Sequence, residues 1–291
     1  MKKIFSVCLA VIISLLSLFV TAYASDTKTG ALLEEIKTTK SYYVDFGDVF
    51  YEEEGAPFRD VKCYFKVYDN ENGKDDFKIA LTGKLWFFNV KLIITRDSAR
   101  AYLPFVSIDL GAIFGSDTDM LNELYYNYIL PLFGSFDSSF VECMKLKSAC
   151  EQDTKEYGRV YVEEFVPDIK KMLEYAEKNG LIDIPDDSQL AGMTEEEIIN
   201  WLKSLGQKGE NVLRMFESNA AFYYEGDNLI AYKVTLYDAV NDNAVLNSED
   251  LMIKRAKDIG SSVPDSVFDA PIVLFDVTSI FTLIFGNLFS A

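Results

Sequence analysis

Apolar and polar residues alternate with a period of two over most of the stretch from Ser41 to Phe105. "DVKCYFKVY" (60–68) sends Val61, Cys63, Phe65 and Val67 to one face and Lys62, Tyr64, Lys66 and Tyr68 to the other, the signature of a strand with one buried side. "DFKIALTG" (76–83) repeats the pattern, and "KLWFFNVKLIITRD" (84–97) reads as one long strand with Trp86, Phe88, Val90, Leu92 and Ile94 on a single face. Asn72-Gly73 and Asp97-Ser98 supply turns, and "ARAYLPF" (99–105) closes an antiparallel meander. Alternation returns at "GRVYVEEFV" (158–166) and at "AAFYYEGDNLIAYKVTLYD" (220–238), where Gly226-Asp227 makes the turn. "SEDLMIKRAKDI" (248–259) reads as a last strand.

Helical spacing occupies the gaps. "ALLEEIKTTK" (31–40) places Leu32, Leu33 and Ile36 on one side of a short helix. Two helical insertions are expected, near 106–155 and near 168–217. The first centres on "DTDMLNELYYNYILPLF" (117–133), with Pro131 stopping or bending it. In the second, Thr194 and Glu197 form a capping box and Gly206 is placed to end the helix. The predicted class is α+β, a curved antiparallel sheet interrupted by helices.

The two ends of the chain differ from the middle. Lys2 and Lys3, an apolar run from Val7 to Val20, and Ala22-Tyr23-Ala24 read as a secretory signal over 1–24. The expected mature chain, 25–291, is a single exported domain, secreted or held in the envelope outside the cytoplasm. At the other end, Asp276 is the only charged residue of 271–291. On a helical wheel Val277, Ile280, Phe281, Ile284, Phe285, Leu288 and Phe289 share one side, and Thr278, Thr282, Gly286 and Ser290 recur on another. Such a segment, with no charged outer face, is expected to pack into the fold's own groove. Membrane contact or self-association through 277–290 comes second.

Composition narrows the chemistry. The net charge is −18, which disfavours nucleic acid and anionic lipid headgroups as partners, since both call for clustered Lys and Arg. The chain has no histidine, which excludes Ser-His-Asp and Cys-His catalysis and His-ligated metals. No cofactor or metal is called for: "NENGKDD" (70–76) lacks the ligand spacing of a calcium loop, and "GAIFG" (111–115) and "GQKG" (206–209) lack a P-loop's Lys-Ser/Thr. The protein is expected not to be an enzyme. An inward Glu163 or Glu164 would be the starting point of a carboxylate-dependent hydrolase, without a nameable partner. Cys143 and Cys150 would suit a small disulfide loop if the backbone turns back between them. On a continuous helix they stand about 10 Å apart.

The strand block, the "YYEGDNLIAYKV" hairpin (223–234) and the exit "VPDSVFDAP" (263–271), with Pro264, Phe268 and Pro271, together resemble the bacterial lipoprotein-carrier superfamily, the LolA/LppX-like fold. The resemblance covers roughly 32–105 and 157–271 in pieces. It implies a half-barrel with helices on its concave side and an apolar cavity. The expectation is a non-catalytic binding protein that sequesters a lipid or other apolar molecule against Phe65, Trp86, Phe88 and Tyr232. The alternative is a structural or adhesive surface protein with a self-packed groove, binding protein or glycan.

Overall fold

The computed structural model describes residues 26–48, 51, 57–69, 75–95, 98–110, 143–184, 192–239, 244–247 and 256–278. The segment 1–24 read as a secretory signal, the helical pattern at 117–133 and the tail from 279 lie outside them. The fold is α+β. The chain divides into two compact units, the first formed by 1–33 and 134–253 and the second by 34–133 and 254–291.

The second unit is built on a sheet of eight strands: β1 (Ser41–Gly47), β2 (Phe58–Asp69), β3 (Asp75–Leu85), β4 (Phe88–Thr95), β5 (Ser98–Leu103), β6 (Phe105–Asp109), β12 (Asp258–Ser261) and β13 (Val273–Asp276). Their order is β13-β6-β5-β4-β3-β2-β1-β12. Neighbours run antiparallel except β13, which runs parallel to β6, so this sheet is mixed and does not close. Its apolar face buries Phe65, Phe77 and Ile79. Phe65 stacks between Tyr42 at 5.1 Å and Phe77 at 6.5 Å, a run of aromatic contacts across three adjacent strands.

The opposite face of this sheet is crossed by the exit segment. Val263 and Phe268 bury against Ala80, flanked by Tyr43, Tyr64 and Val267. A one-turn 3₁₀ helix, Asp265–Phe268, sets Phe268 into that contact. The segment is pinned by Val263 N donating to Ser41 Oγ at 3.3 Å, Lys66 bridging to Asp265 at 2.6 Å and Lys91 Nζ donating to the Asp269 carbonyl at 2.7 Å.

The first unit holds β7 (Met144–Thr154), β8 (Gly158–Pro167), β9 (Asn219–Glu225), β10 (Asn228–Asp238) and β11 (Ala244–Asn247), paired antiparallel in that order. Three helices, α2 (Ile169–Lys178), α3 (Glu195–Ser204) and α4 (Gln207–Met215), pack around Leu173, Ala176, Ile198, Leu202 and Val212. Gly209 lies so close to α3 that a Cβ there would meet the Leu202 carbonyl oxygen at 1.8 Å; only glycine allows the two helices this approach. The capping box expected at Thr194 and Glu197 is formed.

Helix α1 (Lys28–Thr39) crosses the boundary between the units. Its N-terminal end is capped from afar. Glu163, fully buried in β8, accepts Lys28 N–H on Oε1 at 2.8 Å and Thr29 N–H on Oε2 at 2.9 Å. A carboxylate satisfies two of the unpaired donors of a helix start and favours its positive dipole end.

Two expectations are corrected here. Residues 106–109 and 144–154, assigned to a helical insertion near 106–155, are strand. β7 has the burial pattern of a mostly exposed edge, so it shows no alternation. The Cys143–Cys150 bond is not formed: Cys143 is buried, its thiol donating to the Lys171 carbonyl at 3.3 Å, and Cys150 is exposed. An extended strand separates residues seven apart by about 23 Å, far beyond disulfide reach.

Replacing Glu163 by Ala strands two amide donors and is expected to cost about 3 kcal/mol, while Glu163→Gln, which keeps an acceptor, costs about 1 kcal/mol. Urea unfolding followed by circular dichroism measures both; equal, negligible losses would mean that the cap contributes nothing.

Candidate functional site

The four residues expected to meet a ligand do not form one site. Phe65 is 0% exposed in the core of the second unit, and Tyr232 is 2% exposed in the first, its ring 6.3 Å from that of Phe222. Both are packing residues. Trp86 and Phe88 are on the surface, Trp86 at 67% exposure. The single strand expected over 84–97 is instead two, because the chain turns at Trp86-Phe87 between the paired residues Leu85 and Phe88.

The physical reason lies in β2. The register between β2 and β3 shifts between Arg59 and Lys62, and Asp60 there has φ +50°. A Cβ on Gly83 would lie 3.2 Å from the Arg59 carbonyl oxygen. Gly83 therefore serves a bulge inside the sheet, not the turn, and the hairpin falls on two aromatic residues. Trp86 has φ +55° while Phe87 is not among the positive-φ residues. That is the sign pattern of a type II′ turn, whose first position usually holds glycine. Phe105, in the next turn at the same end of the sheet, has φ +66°.

Beside these turns lies an open groove of about 520 Å³. Its floor follows from strand register: Lys62 pairs with Thr82, Thr82 with Lys91 and Lys91 with Tyr102. Cross-strand partners share a face, so these side chains form a row across four strands, on the face opposite Phe65. Pro104-Phe105 and Pro271-Ile272 wall the groove, and Asp60, Lys84 and Asn89 lie toward the hairpin.

The three groove lysines differ in their partners. Lys62 bridges to Asp45 at 2.9 Å, which raises its pKa, and Lys84 bridges to Asp60 at 2.5 Å, which holds that carboxyl low. Lys91 has no ion pair among the described residues; its hydrogen bond goes to the Asp269 carbonyl. Burial pushes its pKa below the ordinary lysine value, partly opposed by the Asp269 charge. A cation without an ion pair beside apolar walls is suited to an anion carried on an apolar body.

Neither acid weighed for hydrolysis is free. Both Glu163 oxygens cap α1, and Glu164 accepts from Ser148 Oγ at 3.0 Å and pairs with Lys147 at 3.4 Å. No group of three metal-ligating side chains occurs among the described residues. None of the described helices is long and apolar enough to cross a membrane. The chain matches no protein-family model, no curated protein and no solved structure.

Sequence reasoning singled out Trp86 and passed over the groove residues. Alternation drew attention to the apolar rows, whereas Lys62, Thr82, Lys91 and Tyr102 sit on the face that reads as solvent.

Trp86→Gly removes a left-handed aromatic residue from a turn suited to glycine. After allowing for glycine's greater freedom when unfolded, it is expected to stabilise the protein by about 1 kcal/mol, seen as a higher Tm. A lower Tm would show that Trp86 is held by packing and not strained.

Proposed function

We propose that the protein is an exported, non-catalytic binding protein, with a lipoprotein-carrier-like half-barrel, that sequesters a lipid or related apolar molecule bearing an anionic group. The observation that supports this best is Lys91: a lysine that makes no ion pair among the described residues, its ammonium bonded to the Asp269 carbonyl, set in a groove walled by Phe105 and Ile272. The anionic group would sit at Lys91, and the apolar body would run over Tyr102 toward Phe105. Each Å² of apolar surface leaving water contributes about 25 cal/mol. This reading moves the ligand away from Phe65 and Tyr232, whose side chains are committed to the core.

Native mass spectrometry of the mature chain, 25–291, tests the reading. An adduct extractable into organic solvent is expected on the unaltered chain and lost on Lys91→Met. Retention should also fall as pH rises, because deprotonation removes the cation, and it should do so below the ordinary lysine value of 10.5. No adduct on a well-folded chain, or one indifferent to Lys91→Met, would overturn it.

A further inference from the structure

The turns beside the groove are more exposed and more apolar than a ligand site requires. Phe87 is 78% exposed, Phe105 63% and Ile272 87%, alongside Trp86. Strand register brings them to one end of the second unit's sheet. Leu85 pairs with Phe88 across the first turn, and Leu103 with Val106 across the second. Val273, which follows Ile272, pairs with Phe105. Trp86 and Phe105 also occupy left-handed backbone, so bulky aromatic residues stand where folding alone would favour glycine. Strain of this kind is tolerated where it presents a side chain for use.

The charges around this end are close to balanced, unlike those of the chain as a whole: Lys62 pairs with Asp45, Lys84 with Asp60, and the Asp269 charge stands near Lys91. The whole protein carries −18, yet the charged residues lining the adjoining groove are three lysines and one aspartate. Arg59 stacks on Tyr51 at 3.8 Å nearby. Aromatic side chains at a tip with lysine stems behind them match the layered polarity of a bilayer's headgroup region, where Trp rings settle and lysine ammonium groups reach back to phosphate. Distant acidic residues are screened within about 8 Å at physiological salt. They still disfavour any other approach to an anionic surface, which orients the molecule tip-first.

We propose that Trp86, Phe87, Phe105 and Ile272 insert into the interfacial layer of a phospholipid bilayer. The reading rests on lipid binding only for what passes into the groove; the docking itself stands on the tip.

The experiment uses the mature chain carrying Trp201→Phe, so that Trp86 is the sole tryptophan, with vesicles of phosphatidylcholine and phosphatidylglycerol brominated at different acyl depths. Trp86 emission is expected to shift to the blue and to be quenched more by bromines near the glycerol end than by those near the terminal methyl. Phe87→Ser, at an exposed site, should lower vesicle partitioning about tenfold without changing the circular dichroism spectrum. Sedimentation with vesicles while Trp86 stays unquenched would place binding elsewhere, the C-terminal tail included, and would overturn the proposal. So would no association at all, which would leave the tip as a contact for protein or glycan. Lys91→Met should abolish the adduct while Trp86 quenching persists, so failure of the groove and failure of the tip are told apart.

Discussion

The second unit depends on one crossing. Residues 263–272 leave β12, lay Val263 and Phe268 on the small side chain of Ala80, and continue past the Pro104-Phe105 turn into β13. Ala80 leaves room for Phe268, and Tyr43 and Tyr64 close the sides of the contact. Every later feature of that face follows. The crossing covers part of a polar row, supplies the Asp269 carbonyl to Lys91, and brings Pro271 and Ile272 up as a wall. Without it, the face carrying Lys62, Thr82, Lys91 and Tyr102 would be an ordinary wet side of a sheet.

The two faces of this sheet therefore have separate tasks. One is consumed by stability, through the stacked rings of Tyr42, Phe65 and Phe77. The other sets Lys91, which makes no ion pair among the described residues, beside the apolar walls of Phe105 and Ile272. The bulge at Asp60 and the tight turns at Trp86 and Phe105 lie at the same end as the groove mouth. Strained backbone and exposed apolar surface thus coincide where a ligand would enter.

Much of the framework was legible because alternation is a direct consequence of strand geometry. β2, β3, β9 and β10 follow their apolar rows, and the Thr194–Glu197 capping box and the Gly226-Asp227 turn are local devices that need no tertiary information. What escaped depends on long-range contact. The turn at Trp86-Phe87 carries no glycine to announce it, and Gly83 answers instead to the Arg59 carbonyl of a neighbouring strand. β7 is exposed on both sides for most of its length and so carries no period. Glu163 reads as a surface acid until α1, more than a hundred residues earlier, delivers its first amides to it. Phe65 and Tyr232 stood out because they are large; size alone does not separate a core ring from a ligand contact.

Whether the polar face binds an amphiphile is decided most directly by amide chemical-shift mapping of isotopically labelled chain 25–291, titrated with an anionic lysophospholipid below its micelle concentration. Saturable shifts are predicted at Thr82, Lys91, Tyr102 and Ile272, with Phe65 and Tyr232 unmoved. Shifts centred on Phe65 or Tyr232, or none that saturate, would contradict the account.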